Sequence, residues 1–133
     1  MLILVRGTGI VEASVAMTKR RILVVEDDNT LANMYRAALS FAGYEVDVAG
    51  DGLTALEDID TDHPDLVVLD LNLPQLGGDR ILSEVAATPD TRDIPVIVVT
   101  GADQVAATGR VSAVLRKPCD PGELVALIEQ TLH

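Results

Sequence analysis

Short apolar runs alternate with segments of helical periodicity along the chain from Arg20 onward. Each run has the length of a strand, and the segment after it repeats apolar residues with the period of an amphipathic helix. The predicted strands are residues 22–25, 44–48, 66–69, 95–99 and 111–115. The last helix is predicted to begin with Asp120 as its cap, Pro121 at its first position and Glu123 completing a capping box.

Five strand–helix units in succession predict an α/β fold. Continuous apolar strands that alternate with helices are typical of a doubly wound parallel sheet with helices on both faces. The flavodoxin-like order 2-1-3-4-5 suits five strands. Residues 103–108 have room only for a shortened fourth helix. We expect residues 1–18 to be an N-terminal extension of unknown role and residues 19–133 to form the domain.

The composition limits the class of partner. The net charge is −11 and the pI is near 4.3, so we expect no nucleic-acid partner, because such binding needs a basic face. No apolar run of the sequence approaches the roughly 18 residues that a membrane span needs, and we expect no membrane partner. One cysteine, Cys119, cannot form an internal disulfide, which fits the reducing cytoplasm.

Ionisable and hydroxyl side chains follow four of the predicted strands at the point where each strand ends. Glu26 and Asp27 follow the first strand, Asp70 the third, Thr100 the fourth and Lys117 the fifth. The carboxyl ends of parallel strands meet at one edge, which is where such folds bind ligands. Crowded carboxylates repel, and Mg²⁺ with its preference for oxygen ligands would compensate their charge. An aspartate held there can attack phosphorus, with metal and lysine neutralising the transferred group.

Each of these assignments has a structural alternative as a turn, loop or surface residue, and for Asp27 the alternative is a helix cap. A helix is predicted to begin near Thr30, and either Asp27 or Asp28 is placed to cap it. An aspartate that caps a helix is engaged with backbone N–H groups and need not serve a metal or a phosphoryl group.

The segments around these residues resemble the receiver domains of two-component signalling. The matching segments are 21–28 (RILVVEDD), 65–74 (DLVVLDLNLP) with Gly77 and Gly78 after it, 98–101 (VVTG), and Lys117 with Pro118. The resemblance spans about residues 20–132. It implies a chemotaxis-regulator-like response regulator, and we expect a stand-alone, cytoplasmic switch that is not a turnover enzyme.

The resemblance implies a role for each matching residue. Asp70 would accept a phosphoryl group, and Thr100 and Lys117 would contact it. The implied Mg²⁺ ligands are Glu26, Asp27, Asp70 and the backbone carbonyl of Asn72. A cis bond commonly precedes the proline that follows this lysine. The implied partners are a sensor histidine kinase or a histidine phosphotransfer protein as the donor, and an unidentified downstream protein.

Three features depart from the receiver pattern. Val114 stands where these domains usually carry Tyr or Phe, whose ring turns inward on signalling. The segment between Thr100 and Lys117 is shorter than usual, and Cys119 replaces a common Phe. Val114 and the short segment leave open an alternative, a receiver-like interaction module that acts without phosphorylation.

Two enzyme classes match the sequence less well. A dinucleotide-binding fingerprint that starts at Gly7 and Gly9 would need glycine at position 12, where Glu12 stands. A haloacid-dehalogenase-like phosphatase would carry a second aspartate two residues after its nucleophile. Asn72 occupies that position and cannot exchange a proton as a general acid does.

Overall fold

The computed structural model describes residues 19–101 and 111–133. Its strands are β1 (Arg21–Val25), β2 (Glu45–Ala49), β3 (Leu66–Leu69), β4 (Val96–Thr100) and β5 (Ala113–Arg116), and its helices are α1 (Asn29–Phe41), α2 (Gly52–Asp62), α3 (Gly78–Ala87) and α4 (Pro121–Leu132). The extension predicted for residues 1–18 and the brief helix predicted for residues 103–108 lie outside the described residues. The domain boundary at residue 19 stays a prediction.

The five strands form one parallel sheet in the order β2-β1-β3-β4-β5, which confirms the predicted fold class. The central strands β3 and β4 are buried at every residue, as their continuous apolar runs require. The edge strands β2 and β5 alternate between more and less exposed residues. Side chains on the faces of the central strands therefore pack in the core, and the polar groups that could carry chemistry lie at the strand ends.

Separate hydrophobic clusters cover the two faces of the sheet. Alternate residues of β1 belong to different clusters. Leu23 lies in the cluster with residues of α2 and α3, and Val24 lies in the cluster with residues of α1 and α4. Aliphatic side chains make up most of both clusters, as the aromatic content of 2% requires. In the described ranges, no helix combines the length and the apolar character needed to cross a membrane.

Caps position the helices that flank the carboxyl edge of the sheet. The side chain of Asp28 accepts hydrogen bonds from the N–H groups of Thr30 and Leu31, so Asp28 rather than Asp27 caps α1. The predicted capping box of α4 is present. The Asp120 side chain accepts from a backbone N–H in the first turn, and the Glu123 side chain accepts from the backbone N–H of Asp120. These caps set where the connections after β1 and β5 must end.

Close backbone packing joins α2 to the loop between β3 and α3. Gly52 at the start of α2 is buried, and a Cβ atom there would overlap the carbonyl oxygen of Leu76 and lie 2.6 Å from the Leu76 Cβ. A side chain at position 52 would push this loop, which begins directly after β3, away from the helix. Gly50, nearby in the connection before α2, has open space instead.

We expect Gly52→Ala to lower the free energy of unfolding by about 1–3 kcal/mol, because the backbone of Leu76 must move to admit the methyl group. Gly50→Ala, whose Cβ would meet nothing within 4 Å, is the matched control and should change it by less than about 0.5 kcal/mol. Urea denaturation of both variants measures the difference. Equal effects of the two substitutions would contradict the packing argument.

Candidate functional site

Three carboxylates meet at the carboxyl edge of the sheet, where β1 and β3 lie side by side. Glu26 and Asp27 follow β1 directly, and Asp70 follows β3. The backbone N–H of Asp70 donates to the carbonyl of Val25 over 3.0 Å, which continues the pairing of the two strands past their ends. One carboxylate oxygen of each of the three acids lies within 4.8 Å of the others. Glu26 and Asp70 are 2% and 5% exposed, whereas Asp27 is open to solvent.

Lys117 brings one positive charge to this group. Its Nζ donates to Oε1 of Glu26 over 2.7 Å and to Oδ2 of Asp70 over 3.0 Å. The residue lies directly after β5, and its backbone N–H donates to the carbonyl of Thr100 over 2.9 Å. The long side chain therefore crosses the end of β4 to reach the two buried carboxylates.

Asn72 and Thr100 complete the surroundings of Asp70. The N–H of Asn72 donates to Oδ1 of Asp70 over 3.0 Å, so each oxygen of Asp70 has a donor, with Lys117 on the other. Thr100 ends β4 and is fully buried. The Lys117–Pro118 peptide bond is cis, as the resemblance implied. The role of the Asn72 carbonyl as a metal ligand stays a prediction.

Burial and charge act in opposite directions on the ionisable groups. Burial raises the pKa of Glu26, and the neighbouring charge of Asp70 adds to the effect, while the hydrogen bond from Lys117 opposes it. Burial by itself would lower the pKa of Lys117, but its hydrogen bonds with Glu26 and Asp70 outweigh burial and raise the pKa. Lys117 is therefore a stable ammonium, and its single charge faces three acidic residues.

The donor set fits a hard divalent cation. Glu26, Asp27 and Asp70 offer only carboxylate oxygens, which Mg²⁺ and Ca²⁺ prefer over the nitrogen and sulfur ligands of transition metals. Among the residues that the structure describes, these three form the one acidic or metal-ligating group of that size. A divalent cation here would balance the negative charge that Lys117 leaves uncompensated.

A polar contact near the site is not predicted by the sequence. Tyr35 of α1 is 1% exposed, and its Oη lies 3.7 Å from Sγ of Cys119. Burial, and next the contact with Cys119, raise the pKa of Tyr35, and the charges of Glu26 and Asp70 contribute in the same direction. The helical period marks position 35 as buried, but it cannot show which group the hydroxyl meets.

The amino-acid sequence is similar to a known protein family and to characterised relatives. Residues 22–129 match the family described as response regulator receiver domain. The response regulator MprA of Mycobacterium leprae is 39% identical over 120 residues, which cover 85% of this chain and 51% of that protein. MprA of Mycobacterium ulcerans is 45% identical over 85 residues, which cover 64% of this chain and 36% of that protein. The chain thus spans about a third to a half of the length of these relatives.

Solved structures agree with the sequence relatives. The chemotaxis response regulator CheY4 of Vibrio cholerae superposes with a TM-score of 0.80 at 26% identity, covering 86% of this chain and 100% of that one. The receiver domain of the sensor histidine kinase PA1611 of Pseudomonas aeruginosa has the same TM-score at 25% identity, covering 86% of this chain and 98% of that one. That structure carries a magnesium ion coordinated in its active site cleft.

We expect Lys117→Met to lower the free energy of unfolding at neutral pH in metal-free buffer by about 1–3 kcal/mol, since two buried carboxylates lose their charged donor. Lys19→Met removes the charge of an exposed lysine and serves as the control. The pKa of Glu26 is already raised and should rise further without the ammonium. Protons then bind the folded variant in preference to the unfolded chain, so the deficit shrinks as the pH falls toward the carboxyl range. Urea denaturation at neutral and mildly acidic pH measures this, and a deficit that stays constant with pH would contradict it.

Proposed function

Because this chain belongs to the response regulator receiver domain family, we propose that it is a phosphoacceptor switch of two-component signalling and that Asp70 takes the phosphoryl group. One observation supports this assignment above the others. Asp70 is a buried carboxylate whose two oxygens are held by the Asn72 N–H and the Lys117 ammonium, next to Glu26 and Asp27. A carboxylate oriented in this way is suited to attack phosphorus.

The transfer forms one bond and breaks another. An oxygen of Asp70 attacks the phosphorus of a phosphohistidine, the nitrogen–phosphorus bond breaks, and its electron pair leaves with the imidazole nitrogen. The Lys117 ammonium, 3.0 Å from Asp70, pairs with an oxygen of the transferred group, and the Thr100 hydroxyl donates to another. Magnesium held by Glu26, Asp27 and Asp70, with the Asn72 carbonyl, would neutralise charge on the acids and on the phosphoryl oxygens.

The chain takes one phosphoryl group and loses it slowly to water, so it acts as a signal rather than as a turnover enzyme. The donor is a sensor histidine kinase or a histidine phosphotransfer protein in the cytoplasm. It docks on α1 and on the loops around the site, where Met34 is 45% exposed on the helix. The recipient of the signal is a second, downstream protein. Neither nucleic acid nor a membrane is a partner of this domain.

A second function is favoured by one position. Val114 on β5 is 42% exposed and stands where receiver domains usually carry an aromatic ring. A domain without that ring lacks one known route for reporting phosphorylation and would act as a receiver-like interaction module whose surface is read directly. The two functions differ in whether the state of Asp70 alters binding of the downstream protein.

We expect a small-molecule phosphodonor to add the mass of one phosphoryl group to the protein in the presence of Mg²⁺. A chelator should prevent the addition, because the acidic residues and the donor then repel one another. Asp70→Asn should abolish it, and Asp60→Asn, which changes an exposed aspartate of α2, should leave it intact. Intact-protein mass spectrometry gives the result. A wild-type protein that stays unmodified with Mg²⁺ would refute the phosphoacceptor role and support the interaction module.

Magnesium by itself should stabilise the fold. At about 100 times its dissociation constant it should raise the free energy of unfolding by about 2.7 kcal/mol if it binds only the folded state. Asp27→Asn should reduce this gain strongly, because Asp27 is an exposed member of the acidic group and its loss need not disturb the core. Asp60→Asn should keep the full gain. Urea denaturation with and without Mg²⁺ at matched ionic strength tests this, and an unchanged gain in Asp27→Asn would remove Asp27 from the ligand set.

A further inference from the structure

A buried contact joins α1 to the segment that carries Lys117. Tyr35 is 1% exposed, and its Oη lies 3.7 Å from Sγ of Cys119, within hydrogen-bond distance for sulfur. Residues 117–119 connect the end of β5 to Asp120, the cap of α4. The contact therefore acts on a very short connection, two residues from the lysine of the site.

This connection is anchored on both sides of Cys119. Before it, the N–H of Lys117 donates to the carbonyl of Thr100 over 2.9 Å. After it, the side chain of Asp120 accepts from the N–H of Gly122 over 3.0 Å in the cap of α4. Pro118 points to solvent, whereas Cys119 is partly buried and packs with the cluster between the sheet and α1. Tyr35 contacts the connection in its middle, at Cys119.

We propose that Tyr35, through its contact with Cys119, is a positioning residue that aims the Lys117 ammonium at Glu26 and Asp70. The proposal rests on the function proposed above, in which Lys117 pairs with the phosphoryl group. A lysine side chain is a flexible stem, so the direction of its charge depends on where its backbone is held. Small displacements of a charge that stabilises a transferring group cost rate even when the fold is kept.

The chemistry of the pair suits this role. Burial and the negative groups of the site raise the pKa of Tyr35, so the phenol stays neutral and adds no charge beneath the carboxylates. Cys119 is small where the receiver pattern commonly has Phe. The ring of Tyr35 is buried, and its hydroxyl has a polar partner in the sulfur of Cys119 instead of being buried alone.

The position of Lys117 can be measured without phosphorylation. The sequence has only two lysines, so the Lys19→Arg background leaves Lys117 as the single source of a lysine side-chain amine resonance in NMR. We expect Tyr35→Phe, which keeps the ring and removes the hydroxyl, to shift this resonance. Tyr44→Phe changes the other tyrosine, which is 6% exposed, and should leave the resonance in place.

The rate of phosphorylation gives the second measurement. With a small-molecule phosphodonor, Tyr35→Phe and Cys119→Ala should each slow modification of Asp70 by about 3–10-fold, the equivalent of one ordinary hydrogen bond. The double variant should be no slower than the slower single one, because both remove the same contact. Cys119→Ser keeps a polar partner and should keep the rate.

The possible outcomes separate this inference from the proposed function. If the wild-type protein is not modified at all, the proposed function fails, and the Lys117 resonance alone decides whether Tyr35 positions the ammonium. If the wild type is modified but Tyr35→Phe leaves both the resonance and the rate unchanged, the positioning role is wrong. Losses that multiply in the double variant would point to general loosening of the fold and would also overturn it.

Discussion

Negative charge crowded at one edge of the sheet is the constraint on which the rest of this structure depends. Glu26 and Asp70 are buried beside each other, and burial alone disfavours their ionised forms. The Lys117 ammonium, the Asn72 N–H and the Asp28 N–H donate to these two carboxylates and make the arrangement tolerable. One cation for three acids still leaves an imbalance of negative charge, which a divalent metal would compensate.

The parallel sheet is what makes this crowding possible. Asp70 and Lys117 are 47 residues apart in sequence, yet strand ends that lie at one edge bring Nζ within 3.0 Å of the carboxylate. Hydrophobic clusters occupy both faces of the sheet, so the edge is where polar side chains can gather without breaking a core. A phosphoryl group added at Asp70 would change the charge that Lys117 faces, and a bistable element biased by that change would carry the signal.

The aromatic groups of this domain are distributed in an unusual way for a receiver. Val114 occupies the usual aromatic position on β5 and is partly exposed, whereas the buried ring near the site belongs to Tyr35 on α1. The contact between Tyr35 and Cys119 lies in the cluster that holds α1 and α4 residues.

The sequence by itself determined the fold class and the strand ends that carry the chemistry, because apolar periodicity and cap residues are local signals. The strand order followed from the common arrangement of five such units. Its strand boundaries differ from the observed ones by a residue or two, as at β5 (Ala113–Arg116). Only the tertiary structure decided that Asp28 caps α1 while Asp27 joins the acidic group, and that Tyr35 meets Cys119. The first outcome depends on which of two adjacent carboxylates turns toward the start of α1, and the second on where side chains of separate elements lie in space. A linear pattern holds no information about either.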